Sequence, residues 1–145
     1  MSTITEMDNT LKKPKQNKIV LIRGISGSGK STLAELFCRL NPSFKHFEVD
    51  MFFIQRGKYR FNPKFLPDAH KWCFSHTKEA LSQGHSVIVS NTFTMRWQLD
   101  KYLKLPYPKT IIKCTGNYQN QHGVPNHVID KMLERWEDIE GEISF

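Results

Sequence analysis

A glycine-rich segment near the amino terminus has residue types and spacing that suit a phosphate chain. Residues 24–32 read GISGSGKST and match the pattern G-x-x-x-x-G-K-[ST] at every fixed position. Glycines let successive backbone N–H groups point at phosphate oxygens, and a following helix adds positive potential from its N-terminus. We expect Lys30 to reach the β- and γ-phosphates of ATP and the Ser31 hydroxyl to bind Mg²⁺. The expected nucleotide-binding set is Gly24, Ile25, Ser26, Gly27, Ser28, Gly29, Lys30, Ser31 and Thr32.

One acidic residue is predicted to lie where phosphoryl transfer needs a base. Residues 47–50 read FEVD, and this alternation of apolar and acidic side chains predicts a short strand that Asp50 closes. Ligands of open α/β sheets bind beyond the carboxyl ends of strands. We therefore expect Asp50 to face the γ-phosphate, to take the proton of an acceptor hydroxyl and to share Mg²⁺ with Ser31. A turn or helix-capping aspartate is the structural alternative.

The end of a later strand separates two classes of nucleotide-binding protein. ATP-hydrolysing motors and switches usually place an aspartate there to help hold Mg²⁺. Here the strand predicted at 86–90 runs into Ser90-Asn91 and offers no carboxylate. This ending favours a small kinase over a hydrolysing motor.

These chemical groups have to be positioned by alternating strands and helices. Strands are predicted at 19–22, 47–50, 86–90 and 110–114, and helices from the glycine-rich segment to 40, at 67–84, at 95–103 and after Pro125. The last helix is expected to carry one apolar face: Val128, Ile129, Met132, Leu133, Trp136 and Ile139. Such alternation implies right-handed crossovers. The expected fold class is α/β, an open and mostly parallel sheet of about four to five strands with helices on both faces.

The composition predicts one globular domain. The chain has 145 residues, is 39% hydrophobic, and carries a net charge of +7 that suits phosphate-bearing partners. Its three cysteines match neither a zinc spacing nor a disulfide framework, and no apolar run approaches the ~18 residues of a membrane span. We expect a reduced, cytoplasmic protein with no membrane association. Residues 1–17 are expected to form a flexible basic tail and residues 18–145 an ATP-binding domain.

Several further motifs occur in a fixed order around the glycine-rich segment. They are residues 24–32, Asp50, GKYRFNP at 57–63, AHKW at 69–72, SNT at 90–92, and NQHGVP at 120–125 with 132–137. Over residues 18–140 this order resembles the small P-loop kinase family related to the 5′-hydroxyl kinase domain of bacteriophage polynucleotide kinase. The resemblance implies a P-loop kinase fold, binding of ATP with Mg²⁺, and phosphoryl transfer to a polynucleotide 5′-hydroxyl. It also implies that His70, in the family's Ala-His pair, points into the substrate crevice.

The chain departs from this family where charged side chains are expected. The family has an arginine shortly after the catalytic aspartate, whereas residues 51–54 read MFFI and Arg56 is the nearest substitute. Asn91 stands where the family places an aspartate that grips the acceptor nucleotide, and residues 117–122 lack the family's lid arginine. The negative charge of the transition state would then have to be stabilised by Arg56, Arg60, Arg96 or Arg135. The expected catalytic set is Asp50, Lys30, Arg56 and Arg96.

The segment 51–66 is the predicted acceptor site. It contains four cations, no acidic residue and five interleaved aromatic residues: Phe52, Phe53, Tyr59, Phe61 and Phe65. Aromatic rings can stack on bases while cations follow the backbone, as in proteins that hold single-stranded nucleic acid. Alternatively, the aromatic residues anchor the loop to the core. The expected acceptor-binding residues are Asn91, Arg56, Lys58, Tyr59, Arg60 and His70.

Three functions remain open from the sequence. The first is a kinase that transfers the γ-phosphoryl group of MgATP to the 5′-hydroxyl of a nucleic acid. The second is a kinase for a small metabolite, because the glycine-rich loop and Asp50 serve any alcohol. The third is a non-catalytic, ATP-binding regulatory domain, which the absence of the family's arginines would fit.

Overall fold

The computed structural model describes residues 17–117 and 123–145. All of the predicted tail except Asn17 lies outside the described residues, as do positions 118–122 of the predicted lid segment. The strands are β1 (Ile19–Arg23), β2 (Phe44–Phe47), β3 (Ile54–Gln55), β4 (Lys58–Tyr59), β5 (Ser86–Asn91), β6 (Lys109–Lys113) and β7 (Ile143–Ser144). The helices are α1 (Lys30–Leu40), α2 (Leu66–Ser82), α3 (Trp97–Leu103) and α4 (Asn126–Glu134), with short 3₁₀ turns at Val49–Phe53 and Pro63–Phe65. None of the helices in the described ranges is long and apolar enough to cross a membrane.

Five of the strands form one parallel sheet in the order β2-β5-β1-β6-β7. β1 takes the central position because every residue of its sequence IVLIR is buried, which requires cover on both faces. The register pairs Arg23 with Asn91 of β5 and with Lys113 of β6, so the carboxyl ends of three strands meet at one edge. The open parallel α/β fold predicted from the sequence is confirmed.

The sheet separates two hydrophobic cores. Leu21 belongs to the first core together with Cys73 of α2 and Leu99 of α3. Ile22, the next residue of β1, belongs to the second core together with Ala34 of α1. Because neighbouring side chains of a strand point to opposite faces, α1 covers one face of the sheet and α2 and α3 cover the other.

The predicted boundary of the second strand is wrong. β2 ends at Phe47, and Asp50 lies in the 3₁₀ turn that follows. The strand begins earlier than expected because Phe44 is buried and packs edge-on against Phe37 of α1, with ring centroids 6.1 Å apart. It ends earlier because the Val49 N–H leaves the strand pairing and donates to Asn91 Oδ1 at 2.8 Å. Glu48 is therefore the acidic residue directly after the strand.

The predicted extent of the last helix is also wrong. α4 ends at Glu134, and the side chain of Leu133 in its last turn is 54% exposed. Trp136 and Ile139, which were expected to continue the apolar face of the helix, lie beyond it. Ile139 joins the first core, and the Trp136 ring stacks on the Arg23 guanidinium at 3.9 Å. These tertiary contacts outweigh the helical periodicity of the sequence.

A buried arginine fixes the end of β1. The Arg23 side chain is fully buried and forms an ion pair with Glu142, with 3.0 Å between Nη1 and Oε2. Its Nε and Nη2 groups donate to the carbonyl oxygen of Phe93 at 2.9 and 2.8 Å, and Nη2 also donates to that of Glu137 at 2.6 Å. Burial lowers the pKa of Arg23, and the Glu142 carboxylate opposes this change. The guanidinium remains charged because arginine is not deprotonated in proteins.

Replacing Arg23 with methionine should lower the free energy of unfolding by about 3–5 kcal/mol, because it leaves the buried Glu142 carboxylate without its partner. Urea unfolding would measure the change. Arg39→Met is the matched control, since Arg39 is exposed in the last turn of α1, and its effect should stay within about 0.5 kcal/mol. Equal effects of the two substitutions would contradict a structural role for Arg23.

Candidate active site

The glycine-rich segment joins β1 to α1 as a tightly folded loop. A Cβ atom at Gly24 would lie 2.2 Å from Ser28 Oγ and 3.0 Å from the carbonyl oxygen of Cys114, so only glycine fits there. Gly27 and Gly29 have φ angles of 82° and 95°, in the left-handed region that glycine adopts without steric cost. The loop therefore has the curvature that the sequence pattern predicts for a phosphate-binding loop.

The Lys30 side chain folds back into this loop. Its Nζ donates to the carbonyl oxygen of Ile25 at 3.1 Å, which uses one of the three donors of an ammonium group. Burial lowers the pKa of Lys30, whereas the negative charges of Glu48 and Asp50 raise it. A cation, two carboxylates and the loop thus share one region at the carboxyl end of the sheet.

Glu48 connects the loop to the end of the sheet. Its Oε2 accepts hydrogen bonds from Ser31 Oγ at 2.9 Å and from Ser90 Oγ at 2.8 Å. Ser90 Oγ in turn lies 2.6 Å from His46 Nε2. Burial disfavours the charged carboxylate, but the interactions with His46, Ser90 and Ser31 outweigh it and lower the pKa of Glu48. The sequence pattern does not point to Glu48, because it predicts that the strand ends at Asp50.

Asp50 lies two residues further along and has a different partner. Its Oδ1 accepts a hydrogen bond from the Tyr59 hydroxyl at 2.9 Å. Burial raises the pKa of Tyr59, and the adjacent Asp50 charge raises it further, so the phenol stays protonated and donates. The two carboxylates are therefore divided: Glu48 contacts a hydroxyl of the loop, and Asp50 contacts a hydroxyl from the predicted acceptor segment.

The middle of the predicted acceptor segment folds as a small hairpin, with a 3₁₀ turn on either side. Ile54 of β3 pairs with Tyr59 of β4, and the N–H of Arg60 extends this pairing to the carbonyl oxygen of Phe53 at 2.8 Å. The two turn residues have positive φ angles, as a type I′ turn requires: Arg56 at 50° and Gly57 at 75°. All four cations of the segment are exposed: Arg56, Lys58, Arg60 and Lys64.

Some aromatic residues of the segment anchor it to the core, and others are exposed where they could stack on a base. Phe53 is 3% exposed and anchors the hairpin, and Phe52 packs edge-on against Trp72 of α2 with centroids 6.3 Å apart. Tyr59 and Phe61 stand at the surface, 36% and 50% exposed, with their rings stacked at 6.4 Å and an angle of 13°. Phe65 is also exposed, at 43%, so Tyr59, Phe61 and Phe65 are the aromatic residues of the segment that can meet a ligand.

The remaining predicted site residues lie at the periphery or in the framework. Asn91 is buried, and its Oδ1 holds the Val49 N–H at the start of the turn that carries Asp50. His70 is half-buried in the first turns of α2, where burial lowers its pKa and the Lys101 charge adds to this effect. Arg96 is exposed at the start of α3.

An apolar cleft of about 220 Å³ lies beside the loop. Its lining consists of Ile25, residues 113–116, Leu133 and Trp136. The Trp136 wall is held by its stacking on Arg23. Apolar clefts with a few polar groups suit the flat base of a nucleotide, whose phosphates would then extend towards the loop.

The oxygen atoms of Ser31 and Glu48 fit Mg²⁺. This cation prefers oxygen ligands and is usually held in phosphoryl-transfer sites by one or two carboxylates together with substrate phosphates. Ser31 Oγ and Glu48 Oε2 lie 2.9 Å apart, close enough to face one cation. Within residues 17–117 and 123–145, no cluster of three or more His, Cys, Asp or Glu could hold a metal by itself.

The sequence matches a known protein family over most of the folded region. A family model described as an AAA domain matches residues 19–115, which is more than half of the chain. The chain belongs to this family. Over an alignment of 133 residues the chain is 32% identical to NEDD4-binding protein 2 of Homo sapiens, and this alignment covers 82% of the chain and 8% of that protein. The chain thus spans a small part of that relative's length.

Solved structures of other proteins, two of them kinases, share the fold of this chain. The structure of the Pnkp1/Rnl/Hen1 RNA repair complex aligns with a TM-score of 0.65 at 20% identity, over 85% of this chain and 46% of the other. A gluconokinase from Sinorhizobium meliloti 1021 aligns with 0.59 at 19%, over 89% and 81% of the two chains. The Mycobacterium tuberculosis APS kinase CysC in complex with AMPPNP and APS aligns with 0.61 at 16%, over 91% and 89%. The expected P-loop kinase fold and the resemblance to polynucleotide kinase relatives are confirmed.

MgATP should raise the melting temperature of this AAA domain, because a ligand of the native state stabilises it. Lys30→Ala should abolish most of that shift, since it removes the cation that we expect to face the phosphates. Thermal unfolding with and without MgATP would measure both values. Lys45→Ala, at an exposed position of β2, is the control and should retain the full shift. An undiminished shift in Lys30→Ala would place the nucleotide elsewhere.

Proposed function

We propose that this chain is a MgATP-dependent kinase that phosphorylates a hydroxyl group, and that its acceptor is the 5′-hydroxyl of a single-stranded polynucleotide. One observation carries the proposal: two carboxylates in the region of Lys30 have separate hydroxyl partners. Glu48 contacts the Ser31 hydroxyl of the loop, whereas Asp50 contacts a hydroxyl of the acceptor segment. One carboxylate is thus placed for the metal and the other for the acceptor.

Asp50 is the proposed general base. The acceptor oxygen forms a bond to the γ-phosphorus while the bond to the β,γ-bridging oxygen breaks, and that electron pair leaves with ADP. The proton of the acceptor hydroxyl passes to the Asp50 carboxylate. Lys30 stabilises the negative charge on the β- and γ-phosphates throughout this transfer.

Ser31 and Glu48 are the proposed protein ligands of Mg²⁺. Glu48 takes the place that the sequence assigned to Asp50, because Glu48 contacts Ser31 directly. Bound Mg²⁺ supplies charge neutralisation at the phosphate oxygens. His46 and Ser90 hold the Glu48 carboxylate in its ionised form and in its orientation towards the loop.

Arg56 and Arg96 are proposed to supply the positive charge that the family places on other arginines. Both side chains are exposed. Arg56 lies at the turn of the hairpin that follows β2, and Arg96 precedes α3 after the end of β5. Both segments therefore start from the carboxyl edge of the sheet, where the phosphates are expected.

Two isosteric substitutions test the division between the carboxylates. Asp50→Asn should lower turnover by roughly 10²–10⁴-fold, the range for a positioned general base, and leave MgATP binding nearly unchanged. Glu48→Gln should instead weaken the Mg²⁺-dependent part of ATP binding. Calorimetric titration with ATP, with and without Mg²⁺, and a phosphoryl-transfer assay would separate the two effects. Loss of metal-dependent binding in Asp50→Asn alone would reverse the assignment.

The acceptor segment supports a polynucleotide over a small neutral acceptor. Three exposed cations, Arg56, Lys58 and Arg60, lie on a hairpin whose Tyr59 hydroxyl reaches Asp50, and the fourth, Lys64, lies in the 3₁₀ turn that follows. The rings of Tyr59 and Phe61 stack on one another, and Phe61 is the more exposed of the two. Backbone phosphates can pair with the cations while a base near the 5′-end stacks on Phe61. The likeness to the Pnkp1 RNA repair structure agrees with this proposal at the level of the fold.

The salt dependence of binding tests the polynucleotide acceptor. If the four cations each contact a phosphate, log affinity should fall against log salt with a slope of about −3, since each contact on a single strand contributes about −0.7. Replacing Lys58 and Arg60 with alanine should flatten the slope by about 1.4. Fluorescence anisotropy of a labelled 5′-hydroxyl oligonucleotide would measure it. Lys71→Ala with Lys78→Ala, two exposed lysines of α2, is the matched control.

A small-molecule acceptor is the second candidate. The alignment with this chain covers 81% of the gluconokinase of Sinorhizobium meliloti, but only 46% of the aligned chain in the Pnkp1 structure. A small neutral alcohol would show almost no salt dependence. A folded, ATP-binding protein that binds no oligonucleotide at low salt, or that binds it equally well after the double substitution, would favour this candidate. Binding of MgATP without any phosphoryl transfer would favour a regulatory domain.

A further inference from the structure

The contact between Tyr59 and Asp50 has the geometry of an alcohol on a general base. The phenolic O–H donates to Oδ1 of the carboxylate at 2.9 Å, within the range for a hydroxyl–carboxylate bond. An acceptor alcohol that loses its proton to Asp50 has to make the same kind of contact. The Tyr59 hydroxyl therefore occupies one of the positions from which a hydroxyl group can give its proton to Asp50.

The hairpin holds this hydroxyl in place. Tyr59 pairs with Ile54 across the two strands, and its ring lies edge-on to the anchored Phe53 with centroids 6.5 Å apart. Phe61 stacks against the Tyr59 ring with centroids 6.4 Å apart, and it also contacts Phe53 with centroids 5.0 Å apart. The 3₁₀ turn that carries Asp50 also contains Phe53, and it is fixed by the hydrogen bond from the Val49 N–H to Asn91. The carboxylate is thus held by this turn, and the hydroxyl is held by the strand pairing of Tyr59 and by the packing of its ring on the same turn.

The contact is at the surface and can be broken without unfolding the core. Tyr59 is 36% exposed, and the hairpin has only two paired residues in each strand. Phe53, which anchors the hairpin, is itself part of the preceding 3₁₀ turn and not of the two short strands. An acceptor can therefore displace the hydroxyl by a local movement of β4, whereas the turn that carries Asp50 stays in place.

We propose that the Tyr59 hydroxyl is a specificity-determining group that occupies Asp50 until an acceptor displaces it, and so limits the transfer of phosphate to water. This inference rests on the proposed kinase function. A water molecule at Asp50 would react as an alcohol does: its oxygen would bond to the γ-phosphorus, ADP would leave, and its proton would pass to Asp50. An acceptor with stacking and phosphate contacts has binding energy to displace Tyr59, and a single water molecule does not.

The test is the ratio of ATP hydrolysis to phosphoryl transfer in Tyr59→Phe, which removes only the hydroxyl. We expect acceptor-independent hydrolysis to rise by about tenfold, equivalent to about 1.4 kcal/mol, because water gains access to the carboxylate. The KM of a 5′-hydroxyl oligonucleotide should fall, since the acceptor no longer competes with the phenol. The kcat of transfer should change little. Tyr107→Phe is the matched control, because Tyr107 precedes β6 at the opposite end of the sheet, and it should leave all three values unchanged.

Four results would contradict the inference. Unchanged hydrolysis in Tyr59→Phe beside normal transfer would show that the hydroxyl does not limit the reaction with water. A lower kcat at unchanged KM would make Tyr59 a positioning residue for Asp50. Phosphate found on Tyr59 by mass spectrometry after incubation with MgATP would make it an acceptor. Absence of turnover in both proteins, with MgATP binding retained, would overturn the kinase proposal itself, and the inference with it.

Discussion

The buried charge of Arg23 determines how the protein is assembled at the carboxyl end of the sheet. The Arg23 guanidinium is fully buried, so its donors require acceptors inside the protein. These come from the chain after β5, through the Phe93 carbonyl, and from the segment after α4, through Glu137 and Glu142. Three separate stretches of sequence therefore have to meet at the residue that precedes the glycine-rich loop. The same convergence places Trp136 as a wall of the apolar cleft.

Glu48 and Asp50 show how a change in local backbone geometry separates two identical charges. Residues two apart in a regular strand point to the same face. Because the strand ends at Phe47 and a 3₁₀ turn follows, these two carboxylates have different partners instead of competing for one. Like charges that share one site raise the pKa of one of them. The structure avoids this conflict: the pKa of Glu48 is lowered, because three polar partners favour its charged form.

The sequence predicts the parts of this molecule that depend on local patterns. The loop at 24–32 and the alternation of strands and helices follow from residue type and spacing, and the parallel sheet follows from that alternation. The parts that it misses depend on distant partners. The end of β2 is set by the Asn91 amide, and Trp136 leaves the helical pattern because Arg23 binds it. The sequence would indicate Glu48 as a site residue only if the end of β2 at Phe47 were already known.

The ion pair between Arg23 and Glu142 joins residues 119 positions apart, and this separation affects the order in which parts of the domain fold. Closing so long a stretch of chain is entropically unfavourable, so contacts of this kind form after local ones. During synthesis, β1 and the loop emerge long before Glu142 exists. We expect the end of β1 to stay incompletely ordered until the segment after α4 has docked. The end of β1 and the glycine-rich loop that follows it are then among the last parts of the domain to become ordered, although their residues are synthesised before Glu142.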